Sequence, residues 1–182
     1  MGICHLLPPP PNLLNISGDK PRTIDFWFYT TDQSNINMFG IGNCTKGKDF
    51  GVYMRNDIIG IYHYDYATHN VSIPDLTNKW NHVALVYDGI YEYLFLNGIK
   101  IIQEKISLNT ASDYISINAQ GTGDYVIHYG VPVKYDEFRI SNVARWTEDF
   151  KIPSKPYTKN KHIFLNNLNF IYGINNILNE VI

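Results

Sequence analysis

Three groups of side chains in this sequence have types and spacings that invite chemistry. The first is acidic. Asp136 and Glu137 are adjacent, and glycoside hydrolysis needs two carboxylates flanking one bond. Neighbours on a strand point to opposite faces, so this pair does not make such a centre, and no alternating Glu-x-Asp-x-Glu strand occurs. The second group is His63, Asp65 and His69, within Ile61-Tyr-His-Tyr-Asp-Tyr-Ala-Thr-His69. His63 and Asp65 would share a strand face and His69 could return from a turn, as a transition-metal site requires. A solvated, tyrosine-rich loop is the better reading of the same residues. Asp32, Asp75 and Asp124 are loop acids that could ligate calcium, without calcium-loop spacing. No Ser/His/Asp order, Cys-x-x-Cys pair or glycine-rich phosphate loop appears, and Gly121-Thr-Gly123 reads as a turn. The expectation is a non-enzymatic chain with no cofactor, with calcium as the ion left open.

The third group is aromatic. The chain has 14 Tyr, 9 Phe and 3 Trp, a high aromatic content. Tyr62, Tyr64 and Tyr66 alternate, which on a strand puts them on one face, and Tyr91 and Tyr93 do the same on theirs. A tyrosine face suits stacking on sugar rings and protein interfaces, because the ring is apolar and the hydroxyl polar. These five are the candidate ligand-binding residues. The competing reading has them cover the core with their hydroxyls in water.

The elements that must carry these groups read as strand after strand. Thr23–Tyr29 is aromatic and β-branched. Asn37–Gly42, Phe50–Arg55 and Ile58–Tyr64 are short apolar runs, and Tyr66–Ile73 is a weaker one. Trp80–Tyr87, Tyr91–Leu96 and Ile99–Ile102 are separated by Asp88-Gly89 and Asn97-Gly98. Those pairs tolerate the positive φ of tight turns, so the three runs form a meander, with Ile90 lengthening the first loop. Tyr114–Asn118, Tyr125–Tyr129 and Val133–Ser141 follow. The fold class is all-β, an antiparallel two-sheet sandwich. Runs apolar on both faces, such as Leu94-Phe95-Leu96, belong between the other sheet and a covering loop or partner.

Composition narrows the functions. Hydrophobic residues are 45% and charged residues 18%, so the chain is not disordered by composition. A net charge of −2 gives no basic surplus for nucleic acid. No stretch approaches the roughly 20 apolar residues of a membrane span. Met1–Leu7 lacks basic residues and Pro8–Pro11 interrupts it, so no secretory signal is read there. Cys4 and Cys44 are expected to be reduced. Residues 1–15 read as a stiff proline-rich lead-in, 16–158 as the domain, and 159–182 as a closing strand and Asn-rich tail. In that tail Ile174, Ile177, Leu178 and Val181 would line one face of a short helix.

Three blocks of this sequence resemble one family. Thr23-Ile-Asp-Phe-Trp-Phe looks like the "TIEFW" strand of the concanavalin A-like, laminin-G-like jelly rolls. Trp80-Asn-His-Val-Ala with Asp88-Gly89 and Leu96-Asn97-Gly98 is similar to that family's second block. Asp136-Glu-Phe-Arg-Ile-Ser-Asn-Val-Ala-Arg-Trp146 resembles its third, with a proline-bearing exit at Phe150–Pro153 and Pro156-Tyr157. The resemblance covers about residues 16–158. It implies a concanavalin A-like sandwich in which Trp27, Trp80, Asn97, Gly98, Asp136, Glu137, Arg139 and Arg145 are structural. Trp27 and Trp80 are then expected as core anchors. Glu137 and Arg139 share one strand face and Asp136 the other. Arg139 and Arg145 pair with carboxylates and fix the Ser141–Trp146 turn. Family members usually carry more strands before the "TIEFW" position, whereas only 22 residues precede Thr23 here. The missing edge falls to a trimmed sandwich, to His162–Phe170, or to a neighbouring chain.

The resulting expectation is a structural and recognition protein, part of a large assembly such as a virion or phage decoration, fibre or tail, with adhesive or glycan-binding capacity. Its partners would be other structural proteins or further copies, docked through the terminal segments, and glycans. It would sit on a virion or extracellular surface after cytoplasmic synthesis. The alternative is a secreted carbohydrate-binding module accessory to an enzyme.

Overall fold

A computed structural model describes residues 5–7, 15–111, 115–122, 125–128, 131–155, 163–165 and 168–169. The strands, in chain order, are β1 (His5–Leu7), β2 (Arg22–Thr30), β3 (Ile36–Gly42), β4 (Asp49–Arg55), β5 (Ile58–His63), β6 (Ala67–Ser72), β7 (Trp80–Tyr87) and β8 (Tyr91–Leu96). They continue with β9 (Ile99–Lys105), β10 (Ile115–Ile117), β11 (Ala119–Thr122), β12 (Tyr125–His128), β13 (Val133–Ser141), β14 (Ile163–Leu165) and β15 (Leu168–Asn169). One sheet has the order β1-β10-β3-β4-β5-β6; the other runs β14-β13-β2-β7-β8-β9, with β15 also on β13. β11 and β12 form a separate hairpin. All pairings are antiparallel, and the described residues contain no helix, so none crosses a membrane as one. The chain is the expected all-β two-sheet sandwich.

Parity along each strand decides which side chains meet. On β2 the inward residues are Ile24, Phe26 and Phe28; on β7 they are Val83, Leu85 and Tyr87; on β8, Leu94 and Leu96. They pack against Ile41, Phe50, Val52, Met54, Ile59 and Ile61 of the facing sheet in one cluster. Phe26 stacks on Phe138 with centroids 5.1 Å apart. The meander closes as the turn residues require: Asn97 and Gly98 both have positive φ, 51° and 82°. Asp88 Oδ1 accepts the Ile90 and Tyr91 amides at 2.8 and 2.7 Å, holding the longer loop that includes Ile90.

The second sheet has a covered outer face. Ala84, Val86, Tyr93 and Phe95 lie under Ala144, Trp146 and Phe150 of the 142–155 segment, which accounts for strands apolar on both sides. Trp146 stacks on Phe150 at 3.9 Å. A Cβ at Gly98 would lie 2.2 Å from the Phe150 carbonyl oxygen, so glycine is required there by approach as well as by φ. Beneath this layer the Arg139 guanidinium holds Asp25 through two 2.8 Å hydrogen bonds, and its plane lies over the Trp146 ring. His82 Nε2 is 3.4 Å from the same carboxylate. The Arg145 amide donates to Thr23 Oγ1 and its Nε to Ser141 Oγ, which ties down the turn. Thr23, Asp25, His82, Arg139, Arg145 and Trp146 from the three blocks therefore meet in one cluster.

Several expectations need correction. Trp27 and Trp80 are not core anchors. They share parity with Asp25 and His82, so they point away from the core; Trp27 is half-buried and Trp80 is 46% exposed. Asp136 and Arg139 lie on the same outer face, opposite Trp27 and Asp25 respectively, because a bulge between them shifts the register. Glu137, at φ 49°, is inside that bulge and does not share a regular face with Arg139. Gly121 and Thr122 belong to β11, whose last residue Thr122 pairs with Tyr125, and Gly123 lies outside the described residues. The outer edge of β13 is occupied by β14 and β15 of the same chain. Pro8–Pro11 and the 171–182 helix lie outside the described residues.

Candidate functional site

The outer face of the first sheet carries the tyrosines. Cross-strand register aligns Ser116, Gly40, Gly51, Tyr62 and Thr68 in one row, and Asn37, Tyr53, Gly60 and Asn70 in the next. The glycines leave troughs, and the rings lie down in them. A Cβ on Gly51 would sit 2.5 Å from Tyr62 Cζ, and one on Gly60 would sit 2.8 Å from Tyr53 Cε1. Tyr62 extends across Gly51 until its hydroxyl is over Gly40, beside the Ser116 hydroxyl and near Asp49 Oδ1. Tyr53 and Tyr62, buried and 6.2 Å apart, make the floor of a cavity of about 440 Å³. Tyr64, 39% exposed, stands at its rim with Arg55 and Thr68, while Asn37, 1% exposed, lies beneath it. The Arg55 guanidinium lies over the Tyr53 ring at 5.1 Å, and its Nε donates to Asn35 Oδ1. The arrangement offers the exposed Tyr64 ring above the largely covered Tyr53 and Tyr62 rings, with donors and acceptors around them.

The five candidate tyrosines do not act as one set. Tyr62, Tyr64 and Tyr66 do not alternate along a strand. β5 ends at His63 and the chain turns at Asp65, which has φ 48°. Tyr62 and Tyr64 still reach the same cavity, while the Tyr66 ring packs over Gly47. Tyr91 and Tyr93 do share a face, 6.3 Å apart, but it is the covered face of the second sheet. Tyr93 is 5% exposed and donates its hydroxyl to Asp88 Oδ2 at 2.7 Å; burial and that acceptor push its pKa up to about 12. It is a structural residue. Tyr53 and Arg55 were not singled out by the sequence reading.

His63 and His69 do meet, but on a different partner from the one their spacing suggested. Both point inward from the first sheet, and Glu92 points at them from the second. Glu92 Oε2 contacts His63 Nε2 and Oε1 contacts His69 Nδ1, each at 2.7 Å. Glu92 and His63 have no exposed side-chain surface. His63 Nδ1 donates to the Asp49 carbonyl, which can only accept, at 2.9 Å. The contact between His63 Nε2 and Glu92 therefore contains one further proton. This cluster clasps the two sheets together at one end, and Asp65 is not part of it.

Two of the calcium candidates, Asp32 and Asp75, serve as turn residues. Asp32 Oδ1 accepts the Ser34 amide and Asp75 Oδ1 the Thr77 amide, each at 2.8 Å, and the latter bond draws the Asp75 carboxyl below its usual range. Asp124 lies outside the described residues. Among the described residues, no three His, Cys, Asp or Glu side chains are arranged to hold a metal ion.

A second concavity, of about 480 Å³, lies on the outer face of the second sheet between Trp27, Trp80, Asp136, Glu137 and residues 152–155. Tyr29 adjoins Trp80 at 5.8 Å. The signal for it was present in the sequence: Trp27 and Trp80 have the parity of the polar residues Asp25 and His82.

No family model matches the chain, and no curated protein is similar to it in sequence. Solved structures share its fold. The CBM40 domain of the Ruminococcus gnavus IT-sialidase, solved bound to α2,3-sialyllactose, superposes with a TM-score of 0.60 at 20% identity, over 80% of this chain and 88% of that one. The NanB sialidase of Streptococcus pneumoniae gives 0.62 at 21% identity over 79% of this chain. The binding domain of botulinum neurotoxin serotype D gives 0.59 at 15% identity, also over 79%. This chain spans 25% of the sialidase and 37% of the toxin domain.

Proposed function

We propose that the chain is a non-catalytic glycan-recognition domain. The observation that carries the reading is the cavity floored by the flat Tyr53 and Tyr62 rings, with Tyr64 at its mouth. Pyranose rings have an apolar face that stacks on such surfaces, and the exposed Thr68 and Arg55 can meet the hydroxyls. That carbohydrate-binding domains such as the CBM40 module have this fold supports the reading. Arg55 supplies a cation, so acidic sugars belong among the probes. A glycan array followed by calorimetry tests it, with α2,3-sialyllactose and neutral oligosaccharides titrated into the wild type and Tyr64→Ala. The expected result is saturable binding that weakens about tenfold in the variant. A flat response to every sugar would contradict it.

A second reading, that the domain is part of a larger assembly such as a virion or phage fibre or tail, is favoured by where the terminal segments lie. β1 is the outermost strand of one sheet, and β14 and β15 are outermost in the other. Outer strands present unpaired backbone groups that another chain can extend. Light scattering tests this: assembly predicts a mass above that of one chain, and a monomer at all concentrations would argue against it.

A further inference from the structure

We infer that the groove between Trp27, Trp80 and residues 152–155 is a second, independent site, shaped for the flat face of a pyranose with equatorial hydroxyls. It lies on the opposite outer face from the tyrosine-floored cavity. It rests on the glycan reading of the domain in general but not on the tyrosine cavity.

Three observations converge there. First, indole is the largest apolar side chain, yet Trp80 is 46% exposed and Trp27 is only half-buried. The neighbouring core is filled by Phe, Ile and Leu and includes neither indole. Second, the β13 bulge aims two acids into one groove. Adjacent residues on an unbroken strand point to opposite faces, but the register steps between Asp136 and Arg139, and both Asp136 and Glu137 line the cavity. Glu137 has φ 49°, a conformation that favours glycine, and its amide is held by Asp136 Oδ1 at 2.8 Å. Strained non-glycine residues gather where a side chain must be aimed. Third, the facing wall supplies Ser154 and Lys155.

The groove thus combines apolar planes with carboxylate acceptors and with hydroxyl and ammonium donors. A pyranose uses all three: its C–H face lies on the indoles, and its hydroxyls both donate and accept. A cation would satisfy the rings and the acids but would face Lys155. A proline-rich peptide would satisfy the rings but brings few donors to the acids.

Calorimetric titration with cellohexaose, and separately with tetramethylammonium, tests the assignment on the wild type, Trp80→Ala, Glu137→Gly and Tyr64→Ala. The expected result is saturable cellohexaose binding by the wild type and Tyr64→Ala, about tenfold weaker in Trp80→Ala and in Glu137→Gly. Glycine suits the Glu137 backbone, so Glu137→Gly should melt no lower than the wild type, which separates lost contact from lost fold. Cellohexaose binding that Trp80→Ala leaves unchanged, or binding of tetramethylammonium without the hexaose, overturns the assignment. Self-association of the wild type that Trp80→Ala abolishes, seen by light scattering, does so too. Sugar binding lost only in Tyr64→Ala overturns this site and leaves the glycan reading standing. An absence of any sugar binding, to the array or the hexaose, ends both.

Discussion

Asp49 should make the folded chain lose stability as pH rises. It opens β4, is 7% exposed, and has its carboxyl raised from 3.8 to about 7 by burial, against the weaker opposing pull of the Phe50 amide and His63. In the unfolded chain the same group ionises near its ordinary value. Between 3.8 and about 7 the folded state therefore holds a proton that the unfolded state has released. Stability falls through that window and levels off above it. The gap corresponds to about 4 kcal/mol against the ionised folded form, taken as an upper figure. Asp49→Asn keeps the shape and removes the charge. Its stability should match the wild type near the bottom of the window and exceed it by a growing margin toward neutral pH. Urea unfolding at successive pH values reads this directly, because the titrating groups that do not touch Asp49 are common to the two proteins and cancel in the difference, leaving Asp49 and its effect on His63. A difference that stays constant from acid to neutral pH, or shrinks, would refute the reasoning.

Two further perturbations address the elements that hold the site. Glu92→Ala strands the buried His63 and should cost about 3–5 kcal/mol in urea unfolding, whereas Glu92→Gln should cost far less. In the latter the amide N–H can reach His63 Nε2 and the amide oxygen can accept from His69. Gly51→Ala would place a Cβ 2.5 Å from Tyr62 Cζ and 2.6 Å from the Phe39 carbonyl oxygen. It should cost about 1–3 kcal/mol in thermal denaturation and lift the Tyr62 ring, weakening any sugar that binds above it.

Much of the fold is legible because local signals agree. Asp88-Gly89 and Asn97-Gly98 mark the ends of β8, and β-branched and aromatic runs fill β2 and β7. What the sequence left open was phase. In Thr23–Tyr29 both parities carry large apolar side chains, so the size of Trp27 suggests a core position while only Asp25 betrays the outer face. Glu92 carried a similar clue. It has the inward parity of Leu94 and Leu96, and a buried acid needs a partner; His63 has the inward parity of Ile59 and Ile61. Joining them requires knowing that β5 faces β8 across the core, which is a long-range fact. The β13 bulge was hidden because Asp-Glu-Phe-Arg reads as a regular strand, and the extra residue shows only in the register against β2. The three-residue strands β1 and β14 are too short to carry a pattern.

The central claim is that surface aromatic rings recognise sugar and that no reaction follows. The most direct measurement titrates the glycans selected by an array into the wild type and into a Tyr64→Ala, Trp80→Ala double variant, with the sugar recovered afterwards for analysis. The account predicts saturable binding by the wild type, loss of it in a folded double variant, and sugar recovered intact. Equal binding by both proteins, or cleaved sugar, would contradict it.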